Sequence, residues 1–189
     1  MAKFDIHTIE TAPAGSKPLL EASQKAYGMV PNLHGVMAES SQHLEAYQML
    51  GKLIGDSSLT TDQTHVVWLT INVVNRCHYC VPAHTMLAKN DKVDDDVIEA
   101  IRNEQPIADA KLEALRAFTI ALTVNRGFVA ESEVDAFLNA GYTKANILDI
   151  LLVLSHKVLS NYTNHLADTP VDAPFAKFDW TAPSVKAAE

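Results

Sequence analysis

The chain has 189 residues, 48% of them hydrophobic and 20% charged, with a formal net charge of −8. That length sets one domain, or one domain with arms, large enough to bury a proper core; an acidic balance with no basic block excludes a phosphate-binding surface, and with it nucleic acid. No run reaches the roughly 18 apolar residues of a membrane span, and no charged-then-apolar stretch opens the chain, so a cytoplasmic protein that does not enter the membrane is expected.

Residues 1–17 carry Pro13 and Gly15 and read as an arm, before a helical domain over 18–168 and a tail over 169–189. Residues 18–27 form a short helix stopped by Gly28 and Pro31. The segment 31–37 is short and apolar around His34, a lone imidazole more often found in a core or at a surface than on a ligand. Residues 41–54 make a helix whose apolar side is Leu44, Tyr47, Met49, Leu50 and Leu53, ended by Gly55.

Thr60 and Gln63 are spaced as a capping box, and the helix they start runs to about Arg76. Val66, Val67, Leu69, Thr70, Ile71, Val73 and Val74 make it apolar on nearly every side, which places it at the centre of the fold. β-branched residues are frequent there, but the cap and the length favour helix over strand.

Both cysteines follow at once, in Cys77-His78-Tyr79-Cys80-Val81-Pro82-Ala83-His84. Two thiols three apart can cycle between dithiol and disulfide if the first turn of a helix holds them. Pro82 lacks an N–H and suits a first helical turn, so the helix is expected to begin at Val81 or Pro82 with Cys80 at its cap. The free N–H groups and dipole of a helix start lower a thiol's pKa. His84 lies four residues after Cys80, on the same face, and can take the thiol proton directly or through a water. Cys80 is therefore the expected nucleophile, His84 its base and Cys77 the resolving thiol. Attack on a peroxide O–O bond leaves Cys80 as a sulfenic acid, with which Cys77 condenses to a disulfide.

The motif helix spans 82–89 and closes at Asn90 and Asp91. Asp94 or Asp95 caps a helix over 97–102, and the acidic run Asp94, Asp95 and Asp96 complements that helix start rather than a metal. A loop with Pro106 leads to a helix over 110–126, with Leu112, Leu115, Phe118, Thr119 and Leu122 inward and Gly127 at its end. A shorter helix over 132–140 ends at Gly141. Thr143 caps the longest helix, 144–167, whose inward stripe is Ile147, Leu151, Leu154 and Val158, continued by Asn161 and His165. An apolar stripe that turns polar at one end marks a pocket wall or a subunit contact; His165 itself reads first as an ordinary helix-end histidine and only second as a catalytic one. Phe175, Phe178 and Trp180 are too apolar for a free tail and are expected to dock on the domain or on another subunit.

The run Leu59-Thr60-Thr61-Asp62-Gln63 through Asn75-Arg76-Cys77-His78-Tyr79-Cys80-Val81-Pro82-Ala83-His84 resembles the alkylhydroperoxidase D / carboxymuconolactone decarboxylase-like family. Its hallmark is an apolar helix ending in Asn-x-Cys-x-Tyr-Cys-x-x-x-His. The likeness is close over residues 59–90 and looser over 91–168. It implies an all-α domain of about eight helices around a central antiparallel pair. It also implies assembly into a homo-oligomer, a trimer or hexamer, for which the aromatic tail and the final helix offer surfaces. The activity implied is that of a peroxidase or disulfide reductase, acting on hydrogen peroxide or organic hydroperoxides with a thiol or dithiol reductant and no cofactor. The second cysteine meets the peroxide with help from a proton relay, roles that fall on Cys80 and His84. One position departs from the pattern. Peroxidase members usually carry a Glu twelve residues ahead of the first Cys, and here that residue is His65. An imidazole relays protons near neutral pH but supplies no fixed negative charge. Along a straight helix His65 stands about 18 Å from Cys77, so it joins the site only if the Cys-bearing helix folds back beside its own.

Other readings of these residues stand beside that one. Zinc on Cys77, His78, Cys80 and His84 is disfavoured because structural zinc sites draw ligand pairs from two segments. Haem attachment needs a His directly after the second Cys, where this chain has Val81. Two buried, inert thiols remain a reading. So do a redox-sensing oligomer with little turnover, which His65 in place of Glu favours, and a lyase or isomerase that uses His84 or His65 without the thiols.

Overall fold

In the computed structural model, which describes residues 4–183, the chain forms nine α-helices and one 3-10 helix. They are α1 (Lys17–Tyr27), α2 (Asn32–Met37), α3 (Ser41–Gly55), α4 (Thr61–Val74), α5 (Cys80–Asn90), α6 (Asp95–Arg102), α7 (Ala110–Val124), α8 (Glu131–Asn139), α9 (Lys144–Ala167) and the 3-10 helix Ala173–Phe178. The fold is all-α. Residues 1–3 of the expected arm and 184–189 of the expected tail lie outside the described residues. No described helix is long and apolar enough by itself to cross a membrane.

α4 is the centre because its sequence leaves it no polar side. Its capping box is formed: the Thr60 hydroxyl accepts from the Gln63 N–H, and the Gln63 side chain accepts from the Thr60 N–H. Val66, Val67, Leu69 and Ile71 are all buried, and α4 packs against α5, α6, α7 and α9. These residues join Ile98 and Ile101 of α6, Leu115, Phe118 and Leu122 of α7, Phe137 of α8, and Ile150 and Val153 of α9 in the main core. Phe118, Phe137 and Tyr142 stack in a row, with ring centroids 4.4 Å apart at each step. A second cluster joins Leu20, Leu33, Met37 and Leu44 to Cys77, Tyr79, Cys80 and Phe175.

α5 runs back along α4. At one end Asn72 donates to the Cys80 carbonyl (3.4 Å), and at the other His65 bonds to Asp91 (2.8 Å). This is the fold-back that the position of His65 required, and it makes α4 and α5 an antiparallel pair.

Several expected boundaries and faces are corrected. α4 ends at Val74 rather than Arg76, because Arg76 takes a left-handed φ of 53°. α7 stops at Val124 for the same reason, with positive φ at Arg126 and Gly127. On α3, Met49 and Leu53 are exposed, and Leu44 and Ile54 carry the burial. The largest correction is the rotation of α9. Leu151, expected inside, is 38% exposed, and His165 is exposed. The buried face is instead Asn146, Ile150, Val153, His156, Lys157, Ser160, Asn161 and Asn164. Its first half packs into the main core, and its second half faces the cysteine motif.

The arm and tail both dock on the domain. His7 donates its N–H to the Gly35 carbonyl (3.1 Å), and a Cβ at Gly35 would lie 2.8 Å from that same His7 oxygen, so only glycine lets the arm lie so close. In the tail, Phe175 meets Tyr79 edge-on with centroids 5.9 Å apart, and the Trp180 indole N–H donates to the Arg102 carbonyl (2.8 Å). The tail aromatics are thus covered by their own subunit. Leu148, Tyr162 and Leu166 leave an apolar side of α9 exposed.

Candidate active site

The turn that carries Cys77 is a helix ending. Past α4, the Cys77 N–H bonds to the Asn72 carbonyl (3.0 Å) and the Arg76 N–H to the Val73 carbonyl (2.9 Å), with Arg76 left-handed between them. That is a Schellman closure, and it reverses the chain at Cys77. The Val81 N–H then reaches the Cys77 carbonyl (3.1 Å), and α5 begins at Cys80, one residue earlier than Pro82 suggested. Cys80 therefore occupies the first helical position rather than the cap, which Tyr79 takes. Its N–H points at the Cys77 sulfur (3.3 Å).

The two cysteines are reduced and buried. The Cys77 thiol hydrogen-bonds to the Cys80 sulfur. Asn164 of α9 donates to both sulfurs, at 3.2 Å from Cys80 Sγ and 3.8 Å from Cys77 Sγ. A relay of buried amides fixes the framework: Asn75 donates to Asn161 (2.8 Å), Asn161 to Asn72 (2.9 Å), and Asn72 to the Cys80 carbonyl. Burial pushes both thiols up. In Cys80 that push is outweighed by the hydrogen bond from Cys77, the charge of Lys157, and the Asn164 and Asn161 amides, which bring it down to about 6. Cys77 stays well above the ordinary thiol value, because burial and its donation to Cys80 keep its proton on. The pair is thus split into one thiolate and one thiol.

Lys157 supplies the positive charge. It is fully buried on α9, with Nζ 2.7 Å from His84 Nε2 and over the rings of Trp68 (5.8 Å) and Tyr47 (6.0 Å). Burial draws its pKa down to about 8, against the pull of Cys80 and Cys77. Three imidazoles stand around it. His84 is held well below its usual value by burial, then by the charge of Lys157, then by His65 and His156. His156 is likewise lowered by burial, Lys157 and His34, and His34 is lowered to about 4 by burial and Lys157. All three are neutral at pH 7. His156 stacks on Tyr47 (4.1 Å), and His34 bonds through Nδ1 to Ser23 (2.7 Å).

These groups line a cavity of about 600 Å³. Cys80, His84, His34, His156 and Lys157 form its polar side, and Tyr27, Tyr47, Trp68, Met86, Leu87 and Phe175 much of the rest. Cys77 is not in its wall, so the cavity reaches one sulfur of the two.

Of the residues singled out from the sequence, Cys77, Cys80 and His84 come together. His84 lies one turn along α5 from Cys80, and its Nε2 lone pair is taken by Lys157, which leaves the proton on Nδ1, where it has no partner. His65 is buried and bonded to Asp91, and Trp68 packs against both it (5.4 Å) and His84 (5.0 Å). His78 reaches the Thr169 carbonyl (3.0 Å), and the Tyr79 hydroxyl donates to Asp172 (2.5 Å), so the two residues between the cysteines anchor the tail. The sequence reading put Asn161 on the inward stripe of α9 but missed Lys157, His156 and Asn164 as neighbours of the thiols. Their spacing of three and four along α9 was the available signal, masked by an apolar stripe of the same period on the other side.

Residues 42–122 match the model of the carboxymuconolactone decarboxylase family. No curated protein sequence matches the chain. Solved structures with the same fold include an alkylhydroperoxidase AhpD core, an uncharacterized peroxidase-related protein from Ralstonia eutropha JMP134. It is 20% identical, with a TM-score of 0.79 over 92% of this chain and 93% of that one. An uncharacterized peroxidase-related protein from Silicibacter sp. TM1040 is 19% identical, with a TM-score of 0.76 over 92% and 95%. The debrominase Bmp8, as a cysteine-to-alanine variant in complex with 2,3,4-tribromopyrrole, is 14% identical, with a TM-score of 0.77 over 100% and 98%. At these identities the likeness establishes the fold. Residues 42–122 thus match the carboxymuconolactone decarboxylase family model, and the described chain has the all-α fold of the alkylhydroperoxidase AhpD core.

Proposed function

We propose that the protein is a thiol-dependent oxidoreductase that reduces hydrogen peroxide or organic hydroperoxides at Cys80 and is returned to its dithiol form by an external thiol or dithiol. The observation that carries this reading is the division of the pair: one sulfur, lowered and countered by a lysine, lines a cavity, and its protonated partner sits behind it. Cys80 thiolate attacks the distal peroxide oxygen; the S–O bond forms as the O–O bond breaks. Cys77 then displaces hydroxide from the sulfenic acid, which takes up the Cys77 proton and leaves as water. His84 stands beside Cys80 in the proton relay, its Nε2 holding Lys157. His65 takes the outer position of that relay, behind Trp68 and joined to the exposed carboxylate of Asp91. A homo-oligomer, trimer or hexamer, suits the exposed apolar side of α9.

Steady-state peroxide reduction with a dithiol reductant tests it. Cys80→Ser lowers turnover at least about a thousandfold, and Cys77→Ser leaves a sulfenic acid at Cys80 that dimedone traps. Full turnover in Cys80→Ser would falsify the assignment.

A second reading has one observation in its favour. The cavity beside Cys80 is walled by Tyr27, Tyr47, Trp68 and Phe175, and the same fold carries a debrominase bound to a tribromopyrrole. On that reading the two electrons of the dithiol go to a halogenated aromatic ring. Halide release from a brominated pyrrole, with no peroxide turnover, selects it.

A further inference from the structure

We propose that Lys157 is the proton carrier of the thiol cycle: its buried ammonium pairs with the Cys80 thiolate in the resting state, protonates the leaving oxygen during reduction, and takes the proton of Cys80 back when the disulfide is reduced. This rests on the thiol-peroxidase reading above and deepens it.

The geometry that carries it is a buried cation with no anion but the thiolate. Lys157 is fully buried, and among the described residues no carboxylate lies within ion-pair distance of it. A lone ammonium in such a site loses its hydration with nothing in return. Its surroundings are neutral or nearly so: His34 on α2, Tyr47 on α3, Trp68 on α4, His84 on α5, and His156 beside it on α9. The Cys80 sulfur is what balances it. His84 has no free acceptor, because its Nε2 takes the Lys157 hydrogen bond (2.7 Å). It therefore acts as a positioning residue that aims the ammonium, and Lys157, in the wall of the same cavity as Cys80, holds the mobile proton.

The charges then balance at every stage. The resting site holds one thiolate and one ammonium. Cys80 sulfur takes the distal oxygen of R–O–OH, the O–O bond breaks, and RO⁻ receives a proton from Lys157. Products are Cys80 sulfenic acid, neutral Lys157 amine and ROH. Cys77 closes the disulfide and water leaves. An external dithiol gives two electrons and two protons to the disulfide; Cys80 then passes its proton to Lys157 and the pair is restored. At no step does the buried site carry a net charge, which is the condition a cavity of this kind sets.

The reduced wild-type protein gives the first test. Turnover of an organic hydroperoxide, as kcat/KM, is expected to follow a bell. It rises with pH as Cys80 ionises near 6 and falls as Lys157 loses its proton near 8. Iodoacetamide alkylation of Cys80, which needs the thiolate and no proton donor, is expected to rise through pH 6 and then hold its plateau through the alkaline limb. Lys157→Met is the second test. Methionine fills the same volume without the charge. The variant is expected to melt no lower than wild type at pH 5, where Cys80 carries its proton and no buried charge is left unpaired, to alkylate with a midpoint about one pH unit or more higher, and to lose about a hundredfold or more in turnover. A flat alkaline limb to pH 9.5, or Lys157→Met within threefold of wild type in turnover, overturns the proposal. If Cys80→Ser is inactive while Lys157→Met is not, only the lysine assignment fails; if Cys80→Ser is active, the thiol reading itself fails. The wild-type profile decides the matter even where the variant does not fold.

Discussion

The two halves of α9 share one helix and one register, yet they face different interiors. Ile150 and Val153 of the first half lie in the main core with Val67, Leu115 and Phe137. His156, Lys157, Ser160, Asn161 and Asn164 of the second half are buried just as deeply, against the cysteine turn and the cavity. The first half is buried because water rejects it. The second is buried in spite of its polarity, and each polar group needs a partner or a charge nearby. Two still lack a partner, His156 Nδ1 and Asn164 Oδ1. The comparison teaches that stability and chemistry are separated along a single helix.

Substitutions in each half sharpen that separation. Ile150→Ala, in the apolar half, is expected to lower unfolding free energy by about 3 kcal/mol. Urea unfolding checks this, and the alkylation profile of Cys80 is expected not to move. Asn164→Ala, in the polar half, is expected to change stability by no more than about 1 kcal/mol. It takes a donor from the Cys80 sulfur (3.2 Å), so the thiol titration moves up from about 6. The sign follows from the group's direction. Cys80 is lowered in the fold, so its reactive form is complete above that value and disappears as pH falls through it. Alkylation at pH 6 should therefore slow severalfold while alkylation at pH 9 does not. An Asn164→Ala protein that unfolds like Ile150→Ala and keeps the wild-type titration breaks the distinction between the halves. The smallest effect lies outside both. Arg76→Gly removes a left-handed strain of about 1–2 kcal/mol and adds chain entropy in the unfolded state. A net gain of roughly 0.5 kcal/mol is expected, with Cys80 reactivity unchanged, because the Schellman bonds are made by backbone.

Much of the fold was legible because its signals are local. Thr60 with Gln63, Asp94 before α6, Thr143 before α9 and the glycines at 28, 127 and 141 mark where helices start and stop. Each acts through its own turn of backbone. Arg76 misled, because a left-handed residue at a helix end is usually Gly and sequence gives no sign that Arg adopts it here. At the site, Cys77, Cys80 and His84 were found because all three lie within eight residues. Lys157, His156 and Asn164 were missed because their role depends on what α9 packs against. Two stripes of helical period run along α9, and hydrophobicity selects the wrong one: Leu151 turns out and Lys157 turns in.

From the sequence alone came the helices, the central place of α4 and the pairing of two thiols at a helix start, since each is written in residues close in the chain. Only the tertiary structure brought a buried lysine about eighty residues away into the wall of the cavity that Cys80 lines, hydrogen-bonded to His84. The reason is physical: burial and electric field act through space, and Lys157 reaches the wall of that cavity only when α9 folds against α3 and α4.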